Sequence, residues 1–83
     1  MLTYIMNVAL IEKSSDRLKL IIYSENLTLL ESDCFNDSNT LNFHLQAVAK
    51  KHRMQKGLLV VHNKDKNAVE LSVAHDENSF FIC

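Results

Sequence analysis

The chain has 83 residues, 47% of them apolar, and a formal net charge of −1, with no long polar or low-complexity tract. That length makes one folded domain, residues 1–83, near the size at which a single core only just offsets chain entropy, and it excludes a second domain or a linker. With one glycine, no proline and two cysteines, the sequence also excludes a glycine-built phosphate cradle and a disulfide framework.

Met1 to Ile11 is apolar but has no basic start, contains Thr3 and Asn7, and is too short to span a bilayer or serve as a signal sequence. A cytoplasmic protein without membrane contact is expected. Within this stretch Leu2, Tyr4, Met6, Val8 and Leu10 alternate with a mixed set, which is the periodicity of a strand. Lys13-Ser14-Ser15-Asp16 reads as a turn, and Leu18, Leu20 and Ile22 resume the same parity beyond it. Residues 2–12 and 17–24 therefore read as a hairpin whose other face is half apolar, since Ile5, Ala9, Ile11, Ile21 and Tyr23 sit among Thr3, Asn7 and Lys19. Leu27 to Leu30 reads as a short third strand, and Asp33 to Asp37 as the lead into a helix.

The helix is predicted over residues 39 to 56. Asp37, Ser38, Asn39 and Thr40 all carry side-chain oxygens suited to its orphan amides, and Gly57 stands where a left-handed residue commonly stops a helix. Lys50, Lys51, Arg53 and Lys56 crowd the end where cations favour the helix dipole. At 100° per residue Leu41, Leu45, Val48 and Ala49 form a core stripe with His44 and His52 at its edges. Phe43, Ala47 and Met54 project to the other side. Unless residues 25 to 37 fold over them, they form a partner-binding stripe flanked by Lys50, Lys51 and Arg53.

Beyond Gly57, Leu58 to Val61 and the alternating Val69, Leu71 and Val73 flank the turn Asn63 to Asn67, giving a second hairpin. Ser79 to Cys83 reads as a last short strand. The expected fold is α+β: a single, mainly antiparallel sheet of five or six strands with one helix across one face, in the order ββ(β)αβββ.

The residues offer little chemistry. His44 and His52 are eight apart, and no Cys-x-x-Cys or His-x-x-x-His occurs, so no metal ligand set is predicted. His62 and His75, near Glu70 and Asp76, supply acid–base groups on paper, but histidines flanking turns are ordinarily solvated. No serine sits in a glycine-framed elbow. Neither an enzyme nor a cofactor is expected, and Cys34 and Cys83 read as buried thiols.

Charge is more informative than its sum. Residues 1–40 balance to −3, residues 41–66 to +5 and residues 67–83 to −3. Lys50, Lys51, Arg53 and Lys56 on the helix, with Lys64 and Lys66 in the turn, are the candidate contacts for RNA or DNA phosphates, the alternative function. By analogy alone, small α+β chains without catalytic apparatus are often binding modules, including antitoxins and phage-type inhibitors. The expected function is therefore a non-enzymatic protein-binding module, a regulator or inhibitor that occludes a partner protein, with homodimerisation to enlarge a small core.

Overall fold

Alternation in the first hairpin is present, and its pairing register decides which side of the sheet becomes core. The computed structural model describes residues 6–82. Its strands are β1 (Asn7–Lys13), β2 (Leu18–Tyr23), β3 (Leu29–Phe35), β4 (Gly57–Asn63) and β5 (Ala68–Ala74), with a helix α1 (Ser38–Lys51) between β3 and β4. The part of the first predicted strand before Met6 lies outside the described residues.

Lys13 pairs with Leu18 and Ala9 with Ile22, so odd positions of β1 share a face with even positions of β2. Val8 and Leu10 therefore face away from Leu20 and Ile22, contrary to the shared parity read from the sequence. A turn of Ser14 to Arg17 sets this offset, closed by Ser14 N–H donating to Arg17 O at 3.0 Å. One residue of shift inverts a strand's faces.

The sheet order is β3-β2-β1-β4-β5. β1 and β4 run parallel at its centre, and every other pair is antiparallel. A parallel neighbour needs a crossover, and α1 supplies it by carrying the chain from the β3 edge over the sheet to β4. Leu41, Leu45, Val48 and Ala49 are buried against Ala9, Ile11, Leu18, Leu20, Ile22 and Leu59. This is the predicted stripe, and the mainly antiparallel α+β sheet with one helix on one face is the predicted architecture.

Helix α1 starts among the four residues read as cap candidates but stops earlier than its sequence reading. Asp37 is the N-cap, its Oδ1 accepting from Thr40 N–H at 2.8 Å, and this bond holds the Asp37 carboxyl below its ordinary pKa. At the other end His52 caps the helix, and Arg53 takes the left-handed conformation at φ 51°. Arg53 N–H donates to Lys50 O at 3.2 Å and Met54 N–H to Ala49 O at 2.8 Å, the two bonds of a Schellman stop. Gly57 has no positive φ. It opens β4, and its missing side chain makes room for Phe80: a Cβ there would come within 2.5 Å of the ring's Cζ and 2.9 Å of Asn7 O.

Two further segments depart from expectation. β3 runs on past Leu30 to Phe35, into the 33–37 stretch that the sequence reading assigned to a lead-in, while Leu27 stands in the preceding turn at φ 65°. The final segment is not a strand: Glu77–Ser79 makes a 3-10 turn, and Phe80 and Ile82 enter the core. Asn42 on α1 holds it there, donating through Nδ2 to Ile82 O and accepting from Ile82 N–H through Oδ1, both at 2.7 Å. Such a pairing satisfies a peptide that has no strand beside it. The tail thus covers sheet that one helix is too narrow to reach.

Candidate functional site

The sheet surface facing away from α1 is set out by the pairing registers. One row across the strands is Leu29, Tyr23, Val8, Leu58 and Val73; the next is Ser32, Ile21, Leu10, Val60 and Leu71. The third row, Cys34, Lys19, Glu12, His62 and Val69, is mixed. Leu71 is 66% exposed, and Leu29, Val69 and Val73 are exposed as well. Glu12 and Lys19 pair across β1 and β2, and Lys64 Nζ also reaches Glu12 Oε2 at 3.2 Å, so the charges in the third row lie close to opposite ones. Cys34 is exposed on this same side, so the expectation of a buried thiol fails there: β3 is the edge strand of the sheet, with no strand beyond it among the described residues. Cys83 lies outside the described residues.

On the outer side of α1, Phe43 is 82% exposed and Ala47 and Lys50 are exposed beside it. Residues 25–37 do not fold over Phe43, because most of them form β3 and pair with β2. Met54 does not belong to this stripe. It follows the helix stop and is fully buried, as the residue after a left-handed cap commonly is.

The six basic candidates do not form one patch. β4 separates Lys56 from the Lys64/Lys66 turn by its seven residues, roughly 23 Å of extended chain. Lys50, Lys51 and Arg53 stand at the Lys56 end, and Lys51 Nζ lies 3.7 Å from Glu31 Oε2. His62 and His75 also separate: His62 pairs with Val69 near the turn, whereas His75 follows Ala74 at the far end of the hairpin. They do not make an acid–base pair.

What sequence spacing missed is a cluster built from two elements. Glu31 and Asp33, two apart on β3, share the helix-side face because their partners Ile22 and Leu20 point there. His44 and His52 reach down to them from the edges of the core stripe of α1. Reading β3 as ending at Leu30 hid this cluster. The acidic alternation Glu31-x-Asp33, taken with a histidine at the margin of the core stripe, is the signal that could have found it.

Grooves on the surface are small. One of about 210 Å³ lies between Val61, Glu70 and Phe81, and one of about 290 Å³ between Asn7, Asn26 and Arg53. Both fall below the roughly 300–1,000 Å³ of ordinary small-molecule pockets. Among the described residues, no helix is long and apolar enough to cross a membrane. No protein-family model matches the chain, and no curated protein or solved structure matches it either.

Proposed function

We propose that this protein is a cytoplasmic, non-enzymatic protein-binding module, a regulator or inhibitor that occludes a partner protein, and that it works as a pair of copies joined through the open sheet face. The observation that carries the reading is the continuous aliphatic surface of Val8, Leu10, Ile21, Leu58, Val60 and Leu71 on the side without a helix. Five strands about 4.8 Å apart and six or seven residues long present roughly 500 Å² of projected area, so two copies bury on the order of 1,000 Å² or more. That meets the lower bound of a stable interface. The face is nearly neutral, so a second copy meets no charge repulsion, and sheets stack about 10 Å apart with such side chains interdigitating.

Face-to-face pairing leaves both helices outside, each displaying Phe43, Ala47 and Lys50. This stripe is the proposed docking surface for the foreign partner. Sedimentation should give twice the 9.5 kDa chain mass, falling to the monomer in Val60→Asp with helicity retained. A concentration-independent monomer would overturn the pair. For the competing nucleic-acid reading, a salt titration against generic RNA and duplex DNA is decisive: submicromolar, salt-steep binding lost in Lys50→Glu/Lys51→Glu would displace protein binding as the function.

A further inference from the structure

The histidine–carboxylate cluster is made of groups that approach without bonding. His44 Nε2 lies 3.5 Å from Asp33 Oδ2 and 4.0 Å from Glu31 Oε1. One ligand atom from each of the three residues falls within 4.8 Å of the others. N–H···O hydrogen bonds in proteins span about 2.7–3.2 Å, so these contacts are too long. Two ligands each about 2.1 Å from one tetrahedral ion stand about 3.4 Å apart, which the 3.5 Å His44–Asp33 pair meets, while Glu31 Oε1, at 4.0 Å from His44 Nε2, has to close in by about half an ångström. The Nε2 atoms of His44 and His52 are shut off from solvent and have no hydrogen-bond partner, although each ring's edge is partly exposed. An imidazole nitrogen buried in this way, facing carboxylate oxygens, is poised as a ligand.

We propose that Glu31, Asp33 and His44 form a binding site for a divalent transition-metal ion, Zn²⁺ foremost. Two carboxylates and a neutral imidazole neutralise the ion's charge, and three protein ligands leave a fourth position for water. The surroundings are ordered for the purpose. Glu31 Oε2 faces His52 Nε2 at 3.5 Å and Lys51 Nζ at 3.7 Å, which turns Oε1 toward His44 and Asp33. Phe35 lies against the His44 ring, with centroids 5.3 Å apart and planes tilted by 45°. The ion would bridge α1 to the edge strand β3 through the polar side chains between them. This inference is independent of the protein-binding proposal.

The test titrates zinc chloride into the metal-stripped full chain in a non-chelating buffer, read by calorimetry, melting temperature and the imidazole proton resonances. One equivalent per chain should bind, raise the melting temperature and move the resonances of His44 but not those of His62 or His75. His44→Ala and Asp33→Asn should each weaken binding at least about tenfold, and His52→Gln by up to about tenfold. Cys34→Ser should bind as the parent does. Affinity should fall on acidification, because protons compete with the ion for its ligands. Asp33 is 55% exposed, so its variant keeps the fold and the test decisive even if His44→Ala does not. No saturable binding at millimolar zinc, undiminished affinity in Asp33→Asn, or movement of His62 or His75 instead would each overturn the site.

Discussion

The two sides of this sheet are made of the same kinds of residue and have opposite fates. Ala9, Ile11, Leu20 and Ile22 on one side are fully buried, while Val8, Leu10, Ile21 and Val60 on the other keep solvent contact. Composition does not distinguish them; what lies above them does. A helix of 14 residues lies over β2 and β3, the tail through Phe80 and Ile82 extends the cover toward β4 and β5, and no buried polar or charged residue interrupts that layer among the described residues. An apolar strand face is therefore only a capacity for burial, and the connection between strands decides which face uses it first.

The comparison breaks most severely at the centre of the covered side. Leu45→Asp places a carboxylate where exposure is 0%, and the chain should be unfolded at 25 °C by circular dichroism. Gly57→Ala should cost about 1–3 kcal/mol in urea unfolding, because the added Cβ meets the Phe80 ring and the Asn7 carbonyl. Combining it with Phe80→Leu should recover part of that loss, which would not happen if Gly57 served as a helix stop. On the open side Leu71→Ser should change monomer stability by no more than about 0.5 kcal/mol, yet lower the sedimented mass at a fixed concentration. A large stability loss in the monomer would mean the two sides are both core.

The mildest test concerns the start of the covering helix. Asp37 has a lowered pKa, chiefly through the Thr40 backbone hydrogen bond, so its charge stabilises the fold above the ordinary carboxylate pKa, and that contribution is lost as pH falls through the folded-state value. Asp37→Ala should therefore melt lower than the parent at neutral pH, with the gap narrowing in acid. A gap independent of pH would assign the effect to something other than the capping carboxylate.

The helix and its buried stripe were legible in the sequence because Leu41, Leu45, Val48 and Ala49 repeat at a period no other element shares. Both hairpins were legible as alternating stretches around a polar turn, although the first was read with the wrong relative parity. What stayed hidden depended on partners distant in the chain. The pairing of Ala9 with Ile22 rests on turn geometry, the exclusion of Phe80 from the sheet on Gly57 and Asn42, and the end of the helix on a left-handed Arg53 where glycine was the natural guess. Of the candidate site residues, Phe43 and Ala47 were placed correctly on the outer side, since helical angle alone fixes them. Met54 was not, because the helix stops before it. Lys50 and Lys51 lie at one end of the molecule and Lys64 and Lys66 at the other, which only the direction of β4 determines.

The parallel pairing at the sheet centre also governs how the chain can assemble. Every β1 residue meets a β4 residue fifty positions later, from Asn7 with Gly57 to Lys13 with Asn63. As the chain emerges from a ribosome, β1, β2 and β3 can join as a local meander, but one edge of β1 stays open until residue 63 has been made. Loop closure over that span makes the central pairing the slow step, and a chain halted after Lys56 would carry an aliphatic strand with free amides and carbonyls. Such a fragment is expected to aggregate, whereas the same chain extended through β4 has no open edge at its middle.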